Sequence, residues 1–157
     1  MTFLLRDRRD TPSLLRATAA AVALAWLQHP VVVAVSTWWI GNTVAHHAVH
    51  RRLFRGRGAE AAFAVVLTLL LGVPQELWRV VHLAHHAERP VPWRRCRPVP
   101  LLIQAMALGG LHVALAVGCL PLGWSSYAAG LAVGLLLSFL HGCYEHRGGI
   151  TDQPDRW

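Results

Sequence analysis

Uncharged stretches divide this chain more sharply than any other feature. Neither Ala17–Val49 nor Val99–Tyr144 contains a single Asp, Glu, Lys or Arg. The second stretch is the cleaner one. Pro100–Leu120 stays apolar for about the 20 residues that a bilayer requires. Pro121, Gly123 and the Ser125-Ser126 pair then supply turn chemistry, and Tyr127–His141 returns. The pattern predicts a helical hairpin with both ends on one side of a membrane.

The first stretch is tighter. Ser13–Gln28 offers 16 residues, His29-Pro30 breaks the run, and Val31–Ala45 offers 15 more. Each arm is short for a span, although Arg16 can extend its charged head to the interface and the second helix can continue through the histidines that follow. The alternative is one long tilted helix from Ala19 to Ala45. That would put Arg6, Arg8 and Arg9 opposite every other arginine, against the positive-inside bias, so a second hairpin is the expectation. One further apolar run, Ala61–Val73, lies between Glu60 and Glu76. It is too short to span and fits an interfacial or re-entrant helix. The expected fold is therefore an all-α membrane protein with about four transmembrane helices in two hairpins plus that extra helix. Residues 1–157 form a single membrane domain.

Composition agrees. The chain is 54% apolar with a mean hydropathy of +0.38, and only 15% of its residues are charged. The net charge is +7, and all 15 basic residues are arginines. They cluster at the ends of the uncharged stretches and are not interleaved with polar residues, which argues against a nucleic-acid partner and makes them topology markers. All charged residues fall on one predicted side, which by the positive-inside bias is the cytoplasm, with both termini there. The Arg-rich start before Leu14–Leu27 reads as an ordinary first span or signal anchor, because no small-residue cleavage pair stands near Gln28. Cys96, Cys119 and Cys143 show no CxxC spacing, and no disulfide is expected.

Of ten histidines, eight fall in three clusters. In His46-His47-Ala48-Val49-His50, residues 46 and 50 share a helix face and His47 points about 100° away. In His82-Leu83-Ala84-His85-His86 the i, i+3, i+4 spacing puts all three on one broad face. In the third, His141 and Glu145 share a face, whereas His146 does not lie with His141. A lone HxxxH is commonly interfacial polarity. Three clusters at three helix ends on one side point to metal. Imidazole suits zinc, copper, iron and nickel alike, so ligand type alone does not choose among them. Number narrows it: one tetrahedral zinc takes four ligands, and five histidines already stand on facing positions before the third cluster is counted. Two metals are the economical reading, with Glu76, Glu88 and Glu145 as carboxylates able to hold the second ring nitrogen. His29 reads as a solvated loop residue. His112, mid-span, reads as a neutral histidine bonded to a neighbouring helix.

These residues resemble a known family. His46-His47-Ala48-Val49-His50-Arg51-Arg52-Leu53-Phe54-Arg55 is similar to the first histidine box of membrane fatty acid desaturases and related hydroxylases. Trp78-Arg79-Val80-Val81-His82-Leu83-Ala84-His85-His86 resembles the second. Tyr144-Glu145-His146-Arg147-Gly148 resembles the single-histidine segment of the alkane hydroxylase and carotenoid ketolase branches. The resemblance runs from about Trp38 to Ile150. It implies a four-span bundle with a cytoplasmic non-haem di-iron site that desaturates or hydroxylates a lipid or fatty-acyl chain. Such a site uses O2 and electrons from a ferredoxin, rubredoxin or cytochrome b5-type donor. It also implies that His46, His50, His82, His85, His86 and His146 are iron ligands, and that the arginines face anionic headgroups, an acidic carrier or an acidic donor.

Three departures stand out. His47 replaces the acidic residue usual after the first box histidine, and Gly142 replaces an Asn. The family pattern also ends in a further HxxHH, which Arg147–Trp157 does not contain. The expectations are a truncated reading of a longer gene, a divergent small member in which His47, His141 or Glu145 fills the gap, or completion by a second subunit. The competing functional classes are a catalytically incomplete metal-binding protein, a haem-binding electron-transfer protein, and a metal transporter or sensor. The haem reading would place histidine pairs inside the bundle. The transporter reading would need polar ligands along the spans, where only Asn42, Gln104 and His112 are available.

Overall fold

The computed structural model describes residues 5–87 and 89–147, with side chains as far as Tyr144. Among these residues every regular element is helical: α1 (Thr11–Leu27), α2 (Pro30–Ile40), a π-helical stretch (Gly41–Ala45), α3 (His46–His50), α4 (Arg57–Leu71), α5 (Gln75–His86), α6 (Pro98–Ala116) and α7 (Trp124–Arg147). Short 3-10 turns at Arg8–Asp10 and Trp93–Arg95 lead into α1 and α6.

Local chemistry sets the boundaries. Gln28 adopts a left-handed backbone (φ 44°) that ends α1, and His29 Nδ1 accepts from the Val31 amide at 3.2 Å to cap α2, with Pro30 in its first turn. This break settles the first uncharged stretch as a hairpin. The start of α1 returns beside the end of α3, where Asp10 meets His47, and one long tilted helix is excluded. The exposed His29 is thus a helix cap and not merely solvated.

Two helices, Pro98–Ala116 and Trp124–Tyr144, are long and apolar enough to cross a membrane. Their outward faces carry exposed Leu102, Met106, Val113, Leu136, Phe139 and Leu140, a surface only acyl chains solvate well. The α4–α5 pair would count as a third span only if taken as one, and it is bent by 85°. Gly72 makes the bend with φ 67°, which an L side chain rarely adopts. The helix α4 leaves the end of the first histidine box, buries Leu70 and Leu71 against Thr37 and Gly41 midway along 30–50, and α5 turns back. The apolar run after Glu60 thus forms most of α4 and ends in the sharp bend at Gly72.

The most extensive helix contact joins α2 to α7, which run parallel. A Cβ on Gly134 would stand 2.7 Å from the Ala34 carbonyl oxygen and 2.7 Å from Thr37 Cβ, so this close approach requires glycine. Further along, Ser138 meets Gly41 and the His141 ring lies 6.0 Å from that of Trp38. This parallel course brings the ends of α3 and α7, and with them the first and third histidine clusters, to the same side. His112 bonds its own helix, Nδ1 to the Leu108 carbonyl at 2.8 Å, and presents its ring edge to Tyr127 on α7. The three cysteines are free.

Candidate metal centre

Two HxxxH pairs meet edge to edge. His46 and His50 come from α3, and His82 and His86 from α5. One ligand nitrogen from each lies within 4.8 Å of the other three. Their ring centroids are 4.5 to 5.6 Å apart. The Nε2 atoms of His50 and His82 approach to 3.2 Å, and those of His82 and His86 to 3.0 Å. The i, i+4 spacing separates each pair by only about 40° around its helix, so each helix offers one narrow stripe of imidazole.

The π-helical stretch aims the first pair. Its wider turn ends at Ala45, immediately before the box, and shifts the phase of everything after it. Asn42 Nδ2 donates to the Trp38 carbonyl at 2.8 Å and Thr43 Oγ1 to that of Trp39 at 2.6 Å, supporting the irregular turn. On α5, Trp78 stacks on His82 with centroids 5.7 Å apart and planes at 20°. Burial, and after it the neighbouring imidazoles His46, His86, His50 and His85, push the His82 pKa down to about 3. His82 is held neutral, the form in which a ring nitrogen can give its lone pair to a metal.

The other expected ligands are placed differently. His85 is exposed and stands outside the four-histidine group, its ring 6.0 Å from that of His86. At i+3 from His82 it lies on the flank of the stripe, which contact with a single facing helix does not reach. His47 turns away from the group, and its Nε2 lies 3.1 Å from Asp10 Oδ1. The Asp10 carboxylate, 1% exposed, also receives Arg51 Nη2, and Asp7 stands 3.9 Å from the same guanidinium. Sequence reading missed Asp10, whose only local signal is its position ahead of Thr11-Pro12. His141 sits beside Trp38. The side chains of Glu145 and His146, and all of Glu88, lie outside the described residues.

Glu76 corrects one expectation. It is a candidate from sequence to hold an imidazole, but its carboxylate is taken by two arginines. Arg79 Nη2 donates to it at 2.6 Å, Arg97 Nη2 at 2.5 Å and the Arg97 amide at 3.0 Å. The Glu76 amide donates to Gln104 Oε1 at 2.8 Å. Burial alone would raise the Glu76 pKa; the bonds from Arg97 and Arg79 outweigh it and hold the group at about 2. This buried cluster ties the start of α5 to the start of α6, so it fixes the helix that presents His82 and His86 without touching them.

Residues 22–94 match the family model for Fatty acid desaturase, a segment that contains both boxes of the four-histidine group. Over that segment, just under half of the chain, the sequence is similar to the membrane fatty acid desaturases. The match and the two apolar helices long enough to cross a membrane suggest a membrane-bound oxidoreductase of the desaturase type. The matched segment ends at Arg94, before the third histidine cluster. No curated protein and no solved structure compared with the chain matches it.

The donor set fits the metal this family implies. Four imidazoles converge from two helices, with an aromatic wall at Trp78 and a pinned helix on either side. Such a set suits iron and would hold one ion. Among the described residues no second group of three or more candidate ligands gathers.

Proposed function

We propose that the chain is a non-haem iron oxidoreductase that desaturates or hydroxylates a lipid or fatty-acyl chain, using O2 and an external electron donor of the ferredoxin, rubredoxin or cytochrome b5 kind. The observation that carries this reading is the convergence of His46, His50, His82 and His86 within a segment of the desaturase family. Bound iron supplies O2 activation. The protein's own residues hold it, exclude water from one side through Trp78, and keep α3 and α5 at a fixed separation through the Asp10 and Glu76 clusters. His85, His141, Glu145 and His146 are the candidates for a second iron, with His47 retained by Asp10.

The proposed arrangement has four spans. The helices α6 and α7 form one hairpin, and α1 with 30–50 forms the other, its short arms extended by the helix that continues into the first box. The histidine clusters and both termini then face the cytoplasm, following the arginines. A haem site is disfavoured by the same geometry, because imidazoles in mutual contact leave no slot for a porphyrin between any two. A catalytically incomplete metal-binding protein is the second reading. It is favoured by the single four-histidine group among the described residues.

The test is acyl analysis. The chain is produced in cells beside a ferredoxin and its reductase, and the extracted lipids are compared with those from a His50→Ala strain by gas chromatography and mass spectrometry. New unsaturated or hydroxylated acyl chains that require O2 and vanish with His50→Ala are the expected result. Iron binding without any new product would favour the second reading.

A further inference from the structure

On the side of α3 and α5 away from the histidines, a cleft of about 210 Å3 opens between α4, α5 and α6. Its walls carry five arginines, Arg52, Arg55, Arg57, Arg79 and Arg97, against two acidic residues, Glu60 and Glu76. The acids are already used. Glu60 accepts from the Phe54 amide at 2.9 Å, and Glu76 is taken by Arg79 and Arg97. Arg55 Nε donates to the Leu5 carbonyl at 3.0 Å. Arg52 and Arg57 are exposed and make no ion pair among the described residues. The floor is apolar, from Phe63, Leu67, Pro100 and Ile103.

One wall is also bilayer surface. Ile103 lines the cleft and is 53% exposed, on the same flank of α6 as Val99 and Met106. Arg97 immediately precedes this span, which puts the arginines at headgroup depth. The cleft is smaller than the ~300–1,000 Å3 of a drug-sized site, so it takes a headgroup and the start of one chain, with the rest lying along α6. We infer that this cleft is a binding site for an anionic phospholipid, its phosphate on Arg52 and Arg57 and its acyl chain against Phe63 and Ile103. The site is independent of the iron. Because α3 and α5 wall both it and the histidine group, an occupying lipid braces the two helices that carry the ligands.

The experiment uses the full chain in nanodiscs of phosphatidylcholine with a minor share of phosphatidylglycerol, with retained lipid counted by native mass spectrometry. The wild type is expected to keep phosphatidylglycerol over phosphatidylcholine by on the order of tenfold, as two phosphate-facing arginines allow. Arg52→Gln/Arg57→Gln should lose the preference, and Arg8→Gln/Arg9→Gln, which removes the same charge elsewhere, should keep it. No preference in the wild type, or equal loss in both variants, overturns the proposal. Should the first variant not fold, a photoactivatable phosphatidylglycerol on the wild type decides. Labelling of 52–67 and 99–104 is expected, and labelling confined elsewhere overturns the site. Full competition by soluble glycerol phosphate would also overturn it, since an anion alone would then suffice.

Discussion

His50 and His82 stand 32 residues apart in sequence, yet their Nε2 atoms lie 3.2 Å from each other across the α3–α5 contact. That single approach joins the first histidine box to the second. Each box brings a second ring at i±4, so the contact gathers four donors. His50→Ala or His82→Ala should therefore cut iron affinity by more than the ~10–100-fold that loss of an outer-sphere partner costs. His47→Ala, whose ring belongs to Asp10, should fall below that smaller range. Equal losses at 47 and 50, by metal titration, would contradict the assignment.

Asp10→Asn tests the latch between α1 and α3. The substitution keeps the size but removes the charge that Arg51 and His47 share, leaving a buried guanidinium contact without its anion. A loss of about 1–3 kcal/mol in stability is expected from thermal unfolding followed by tryptophan fluorescence, with iron stoichiometry unchanged.

The Glu76 cluster should behave as an acid-sensitive clamp. The carboxyl is lowered from 4.5 to about 2 in the folded chain, so its contribution is complete above pH 4.5 and disappears as pH falls towards 2. The shift corresponds to about 3 kcal/mol. Glu76→Ala should cost about 1–3 kcal/mol at neutral pH, because both arginines and the Arg97 amide lose their acceptor while the guanidinium groups can turn to solvent, and should flatten the stability profile between pH 4.5 and 2. An unchanged acid profile in the variant would contradict this role.

Gly134→Val should separate α2 from α7. The first added carbon already meets Ala34 and Thr37 at 2.7 Å, and the contact is backbone on one side, so neither helix can yield locally. A loss of about 1–3 kcal/mol is expected, whereas Gly109→Val, where a Cβ meets nothing within 4 Å, should be tolerated far better.

Much of the site was legible because histidine spacing on a helix is a local property. His46 with His50, and His82 with His86, could be placed on single faces from sequence alone. The helix after Glu60 was legible from its apolar run, and the helical breaks from His29-Pro30 and Pro121–Ser126. What sequence could not show depends on contacts distant along the chain. Asp10 reaches His47 only after α1 folds back, and nothing near Asp10 marks it as a partner. Glu76 looked like a carboxylate close to a histidine box, but the geometry of Arg97, 21 residues later, claims it. His85 looked equivalent to its neighbours because three spacings fit one broad face; a single facing helix selects only the narrow stripe. The π-helical stretch left no sequence signal beyond Gly41-Asn42-Thr43.

The most direct test of the metal centre is the iron content of the purified full chain beside that of His50→Ala/His82→Ala. At least one non-haem iron per wild-type chain, without a Soret band, and none in the double variant is the expected result. Iron retained by the double variant, or absent from a folded wild type supplied with ferrous iron, would contradict it.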